Sequence, residues 1–282
     1  MPKILVVYLT IVKNVKLYLM EKNSNPIVQE VIDKFDTVTK MTKIFANSKG
    51  AIKGIIIFGN AGSGKTYHVQ RAFSESNSMN RVDYVKGSSL TAPALFYKLF
   101  MNRNEGDILV LDDVDLVHKG KSERNTILDL LKGATEPTRG ERILSWLRAG
   151  TNTLFRENDV PEQFDFKGSI VWITNETQDS LAKACGPHWN AISSRFNQVP
   201  VWLDEKEQLM YTIHLIEEVD MLGKNCYAKE GGYSKDVAEK VVTYFRNNWK
   251  LLDDITPRVA IKIADAIETY PNDWETIVEY SK

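Results

Sequence analysis

The octapeptide running from Gly59 to Thr66, GNAGSGKT, has the spacing G-x-x-x-x-G-K-[ST] of a phosphate-holding loop. Its glycines let the backbone curl so that successive N–H groups point at one anion. Gly59, Asn60, Ala61, Gly62, Ser63, Gly64, Lys65 and Thr66 are therefore the candidate nucleotide-binding residues. Lys65 would reach the β- and γ-phosphates, and the Thr66 hydroxyl would ligate Mg2+. The helix expected to follow directs its positive end at the same anion. A second cluster lies in ILVLDD, where a strand-like apolar run delivers Asp112 and Asp113 at its C-terminal end. Asp112 is the candidate partner of Mg2+, and Asp113 the group that would orient and polarise an attacking water. Asp115 is read as solvated or structural.

Three further positions qualify only in company with these. Asn175 ends the run WIT, where an amide could hydrogen-bond a phosphate or the attacking water. By itself an asparagine at a strand end is a turn residue. Arg195, in AISSRF, precedes another strand-like run and could reach the phosphates of a neighbouring subunit. Arg258, in TPRVAIKIADAI, falls in the first turn of a helix and could close onto the γ-phosphate. Taken singly, each arginine is an ordinary solvated residue.

These groups need a scaffold. GIIIF (54–58) reads as a strand feeding the loop, and YHVQRAFSE continues as a helix. RVDYVKG (81–87), DILVLDDVD (107–115), GSIVWITN (168–175) and QVPVWL (198–203) read as four more strands. TAPALFYKLFM and SERNTILDLLKGA (122–134) read as helices between them. Strands that are apolar throughout and alternate with helices imply a parallel sheet covered on both faces. Residues 24–49 show helical spacing ending at Gly50. After Leu203 no strand is expected. Asp204 with Glu207 makes a capping box, and SKDVAEKVVTYFRNNW and TPRVAIKIADAIETY carry helical periodicity. The expected organisation is an extension and lead-in helix (1–49), an α/β nucleotide-binding domain (50–203) and a helical domain (204–282).

Taken in order, GNAGSGKT, ILVLDD, WITN, SSRF and TPR resemble the Walker A, Walker B, sensor 1, arginine-finger and sensor 2 motifs of the AAA+ ATPases. The resemblance spans roughly residues 50 to 270. It implies a three-layer α/β/α P-loop core with a small all-helical lid, and ATP with Mg2+. It also implies a ring, usually a hexamer, with active sites at subunit interfaces and Arg195 acting in trans. One departure stands out. The family commonly ends Walker B with Asp-Glu, and this chain has Asp112-Asp113. The shorter acid puts the hydrolysis rate in question. The segment between ILDLLKGATE and GSIVWITN, with RILSW and FDF, is similar to the hairpin before sensor 1 in MoxR-type, dynein-related and helicase groups. In those groups it points into the pore. The arrangement also resembles small single-module AAA+ ATPases of large tailed bacteriophages.

Composition narrows the partners. The chain has 282 residues, 36 basic and 37 acidic, so it is no polycation, and any nucleic-acid contact must come from a local patch. Lys86 in the KGSS loop, Arg148 and Arg156 are the candidate pore contacts. A lysine among small polar residues suits phosphate contacts. That loop lacks the aromatic residue of threading unfoldases. A nucleic-acid motor or loader is thus expected, with a MoxR-like protein remodeller or a slow ATP-dependent switch as alternatives, and a protein adaptor as a further partner. Cys185 and Cys226 suggest neither a disulfide framework nor a zinc site. The N-terminal stretch is apolar but broken by Lys3, Lys13 and Lys16, so no membrane span is expected; no small-residue cleavage site follows, so no signal peptide is expected, and the setting is read as cytoplasmic.

Overall fold

The structure, a computed structural model, describes residues 25–47, 52–87, 90–137, 140–147 and 153–280. Arg148, the two serines of KGSS and the apolar N-terminal stretch lie outside the described residues.

The expected strands form one five-stranded parallel sheet. Its members are β1 (Gly54–Gly59), β2 (Val82–Lys86), β3 (Ile108–Asp112), β6 (Ser169–Thr174) and β7 (Phe196–Val201), in the order β2-β3-β6-β1-β7. All residues of β1, β3 and β6 are buried, as continuous apolar runs require. Ile56, Phe58, Leu109, Leu111, Ile170 and Trp172 share one cluster with Leu95, Phe96, Leu99, Leu128 and Leu131. Those leucines and Phe96 come from α3 (Ala92–Met101) and α4 (Lys121–Ala134). The alternate strand residues Ile55, Ile57, Val110 and Val171 are fully buried outside that cluster, so the second face is covered too. β7 begins two residues before the expected start, because Phe196 already pairs with Gly54. Its Pro200 is tolerated on an edge strand, where no second neighbour needs the missing N–H.

The expected hairpin is present as β4 (Ile143–Ser145) paired antiparallel with β5 (Gln163–Asp165), with α5 (Thr153–Glu157) between them. α1 (Pro26–Asn47) is preceded by Asn25, whose side chain accepts from the Ile27 N–H at 3.0 Å. α2 (Lys65–Glu75) follows the glycine loop, and α6 (Gln178–Cys185) and α7 (Pro187–Ser193) lead into β7.

Contacts divide the described chain into two compact units. One is Phe35–Trp202, and the other joins the described residues up to Lys34 with those from Leu203 onward. The second unit is helical among its described residues. It contains α8 (Glu205–Glu217), α9 (Lys235–Asn248), α10 (Pro257–Thr269) and α11 (Trp274–Tyr280). Its core gathers Leu222, Val241, Phe245, Ala260, Ile263 and Ala264. The capping box forms as read: the Glu207 N–H donates to Asp204 at 2.8 Å, and the Asp204 N–H donates to Glu207 at 2.9 Å. No helix among the described residues is long and apolar enough to cross a membrane.

Candidate active site

Parallel strands bring the chemical groups together at their C-terminal ends. The glycine loop leaves β1 and enters α2 through Gly64, the helix N-cap, at φ 103°. Gly62 is also left-handed, at φ 70°. Side chains avoid those conformations, so the spacing of glycines in the motif is a backbone requirement. Ser63 is buried at the turn of the loop, and its hydroxyl has no hydrogen-bond partner among the described residues. Such an orphaned group is costly unless a ligand satisfies it.

Lys65 is only 5% exposed. Its ammonium donates to the carbonyls of Gly59 and Asn60, each at 2.7 Å, and to the Asn175 amide oxygen at 2.8 Å. The Asn175 amide nitrogen in turn donates to Asp113 at 2.9 Å. The Thr66 hydroxyl donates to Asp112 at 3.0 and 3.1 Å. Five residues from β1–α2, β3 and β6 therefore form two hydrogen-bonded sets, Lys65–Asn175–Asp113 and Thr66–Asp112, whose members adjoin in sequence at Lys65–Thr66 and Asp112–Asp113. The register explains it. Asp112 pairs with Ile173, which places Asp113 and Asn175 just beyond the ends of adjacent strands. Asp113 is left-handed at φ 59°, and its N–H donates to the Ile173 carbonyl at 3.0 Å. Aspartate is among the few side chains that tolerate that conformation.

The other candidates are distributed more widely. Lys86 ends β2 opposite Asp112, and its ammonium lies 3.7 Å from that carboxylate. Spacing gave no hint of this pairing, which only the parallel register creates. Arg156 is exposed on α5. Arg195 sits between α7 and the edge strand β7, where it pairs with Glu136. Glu136 was not singled out in the sequence. Arg258 is exposed in the first turn of α10, in the helical unit. Asp115 accepts from His118; burial pushes its carboxyl up, but the hydrogen bonds from His118 outweigh that and hold it below the usual range, an arrangement that serves the loop after β3. His68, on α2 beside the loop, stacks on Phe35 at 4.5 Å. Burial first, and Arg71 second, hold its imidazole down at about 3.

The chain matches no family model. Among solved structures it is similar to the RuvB Holliday junction branch migration motor of Thermotoga maritima, at 15% identity and a TM-score of 0.46, over 86% of this chain and 61% of that one. It is also similar to NtrX from Brucella abortus in complex with ATP, at 13% identity and a TM-score of 0.45, over 89% and 63% of the two chains. It spans less than two thirds of either of those chains. The fold itself is a parallel α/β core of the P-loop type: the glycine loop follows the strand flanked by β6 and β7, the paired acids end β3, and the strand leading to Asn175 lies between them. A protein of Enterobacteria phage T4, the uncharacterized 36.7 kDa protein in the nrdC–mobD intergenic region, is 30% identical over 249 residues, covering 86% of this chain and 72% of that protein. The chain belongs to the family of that phage T4 protein.

Proposed function

We propose that this protein is an ATPase that binds Mg-ATP on the loop Gly59–Thr66 and hydrolyses it at the subunit interfaces of a ring. The ring would use that turnover to move or remodel a nucleic acid. Residues 50–203 would form the nucleotide-binding domain, 204–282 the lid, and 1–49 an extension. The observation that carries this reading is the pair of adjoining hydrogen-bonded sets, Thr66–Asp112 and Lys65–Asn175–Asp113, at the ends of adjacent strands.

The residues present fit the expected groups. The orphaned Ser63 hydroxyl and the left-handed Gly62 and Gly64 suit an anion cradled by main-chain N–H groups. Thr66 and Asp112 are hard oxygen donors already within 3.1 Å of each other, the donor type that Mg2+ prefers. Bound there, Mg2+ would supply neutralisation of phosphate charge. Lys65 would place its ammonium on the terminal phosphates, with the Gly59 and Asn60 carbonyls and Asn175 fixing its direction. Asp113 would accept a proton from the water attacking the γ-phosphorus. Asn175 would hold the Asp113 carboxylate in line through its amide nitrogen. Arg195, at the sheet edge, would stabilise the transferring phosphoryl group of a neighbouring subunit, and Arg258 would couple the lid to the nucleotide.

The test is steady-state ATP hydrolysis by the purified protein, alone and with single-stranded DNA, duplex DNA or RNA, at low and moderate salt. Stimulation that fades as salt rises is expected, because phosphate contacts release counterions. Turnover indifferent to every nucleic acid would replace this reading with a protein remodeller of the MoxR type, and absence of turnover would leave an ATP-dependent switch.

A further inference from the structure

The guanidinium of Arg195 is held by its own chain before any neighbour is considered. Its Nε donates to the Glu136 carboxylate at 2.9 Å, and Nη2 donates to the same oxygen. Nη1 donates to the Ala191 carbonyl at 2.8 Å. Both partners sit on fixed backbone. Glu136 follows the Thr135 cap of α4, whose hydroxyl donates to Leu131 at 2.7 Å, and Pro137 follows it. The Arg195 N–H closes α7 on the Ile192 carbonyl at 2.9 Å, and the next residue enters β7.

An arginine has five N–H donors in a rigid fork. Three are taken here, which leaves one on each terminal nitrogen. Two parallel donors of that kind match two oxygens of a phosphoryl group. A flexible arginine would lose rotamer entropy on reaching across an interface. One already clamped by an acid and a carbonyl has lost it beforehand. A purely structural ion pair explains less. With side chains 23% and 38% exposed, this pair would add little stability on its own account.

The geometry points to Glu136 as a positioning residue for Arg195, aiming its two remaining N–H groups outward at the phosphates of an adjacent subunit. This inference rests on the trans role proposed for Arg195. Glu136 touches no substrate and acts through the arginine. Glu136→Ala should lower kcat about tenfold or more and leave nucleotide affinity within about twofold, since misaiming a catalytic group costs rate rather than binding. Glu136→Gln keeps an oxygen that can accept from both nitrogens and should recover part of the loss.

Mixed assemblies locate the effect. Asp113→Asn spoils the water-activating half of an interface, while Arg195→Ala spoils the arginine half. If Glu136 serves Arg195 of its own chain, Glu136→Ala subunits should regain activity when mixed with Asp113→Asn subunits. They should regain none with Arg195→Ala subunits. Unchanged or raised kcat in both Glu136 variants would overturn the proposal, as would recovery on mixing with Arg195→Ala. The underlying reading fails separately: no recovery between Arg195→Ala and Asp113→Asn would remove the trans arginine and this inference with it. Thermal melts of each variant, matched to the parent, exclude loss of fold as the cause.

Discussion

Lys65 carries a positive charge in an almost closed setting, and three oxygens compensate it. Charged hydrogen bonds of this kind are worth about 1.5–3 kcal/mol each, so losing even one to a phosphate is severe. Lys65→Ala should weaken ATP binding by about a hundredfold, measured by titration with a fluorescent nucleotide. Retained tight binding would dismiss the loop as the nucleotide site. Asp113 makes a different prediction. Its left-handed backbone suits Asp and Asn alike, and its contact with the Asn175 amide nitrogen needs only an acceptor oxygen. Asp113→Asn should therefore fold and bind ATP as the parent does, yet lose about a hundredfold or more in kcat through the missing base. Wild-type turnover in that variant would place the base elsewhere. Lys86 bears on the proposed Mg2+ site. Its ammonium competes with any cation for Asp112, from 3.7 Å. In Lys86→Met the Mg2+ concentration needed for half-maximal nucleotide binding should fall several-fold, and no change would show the pair to be incidental.

Helices α1 and α2 are joined by a buried aromatic pair whose stability depends on pH. His68 lies between Phe35 and Tyr67, with Thr39 at 3.5 Å from its Nδ1, and Arg71 and Glu75 supply the nearby charges. Its ordinary value of 6.5 falls to about 3 on folding. The unfolded chain therefore binds a proton that the folded chain refuses. The neutral imidazole's contribution is complete above 6.5 and is lost as pH falls from 6.5 toward 3. Between pH 7 and 5 that loss amounts to about 2 kcal/mol, and Glu75, whose carboxyl Lys43 and Arg71 also hold low, adds to it at the acid end. His68→Phe should flatten the dependence by about that amount in denaturant titrations at the two pH values. An unchanged slope would show that the imidazole takes up its proton in the folded state. The same elements show what the sequence could reveal. β1, β3 and β6 are legible because each is buried on both faces and reads as one apolar run. α11 is not: its seven residues, Trp274–Tyr280, are too few to show a helical period beside the longer α10. Lys65, Asp112, Asp113 and Asn175 are visible as chemical types at strand ends. The pairings Lys86 with Asp112 and Arg195 with Glu136 are invisible, since only the folded register and the α4 terminus bring those positions together.

At the scale of the whole molecule, the residues proposed for one reaction do not all belong to one connected group. Lys65, Asn175 and Asp113 form one hydrogen-bonded set and Thr66 and Asp112 an adjoining one, whereas Arg195 is tied to Glu136 and Ala191 beside the edge strand. A net charge of −1 leaves little long-range repulsion to keep copies apart, and the trans role proposed for Arg195 requires a neighbouring copy. If Arg195 completes the site of an adjacent copy, activity is a property of the assembly. Specific ATPase activity should then rise with protein concentration and level off where sedimentation shows the oligomer filled. Arg195→Ala should assemble over the same range but turn over about a thousandfold more slowly, as the loss of a trans arginine predicts. A specific activity constant from the monomer range upward would mean that each chain completes its own site. The arginine would then have to act in cis, and the ring would be unnecessary for hydrolysis.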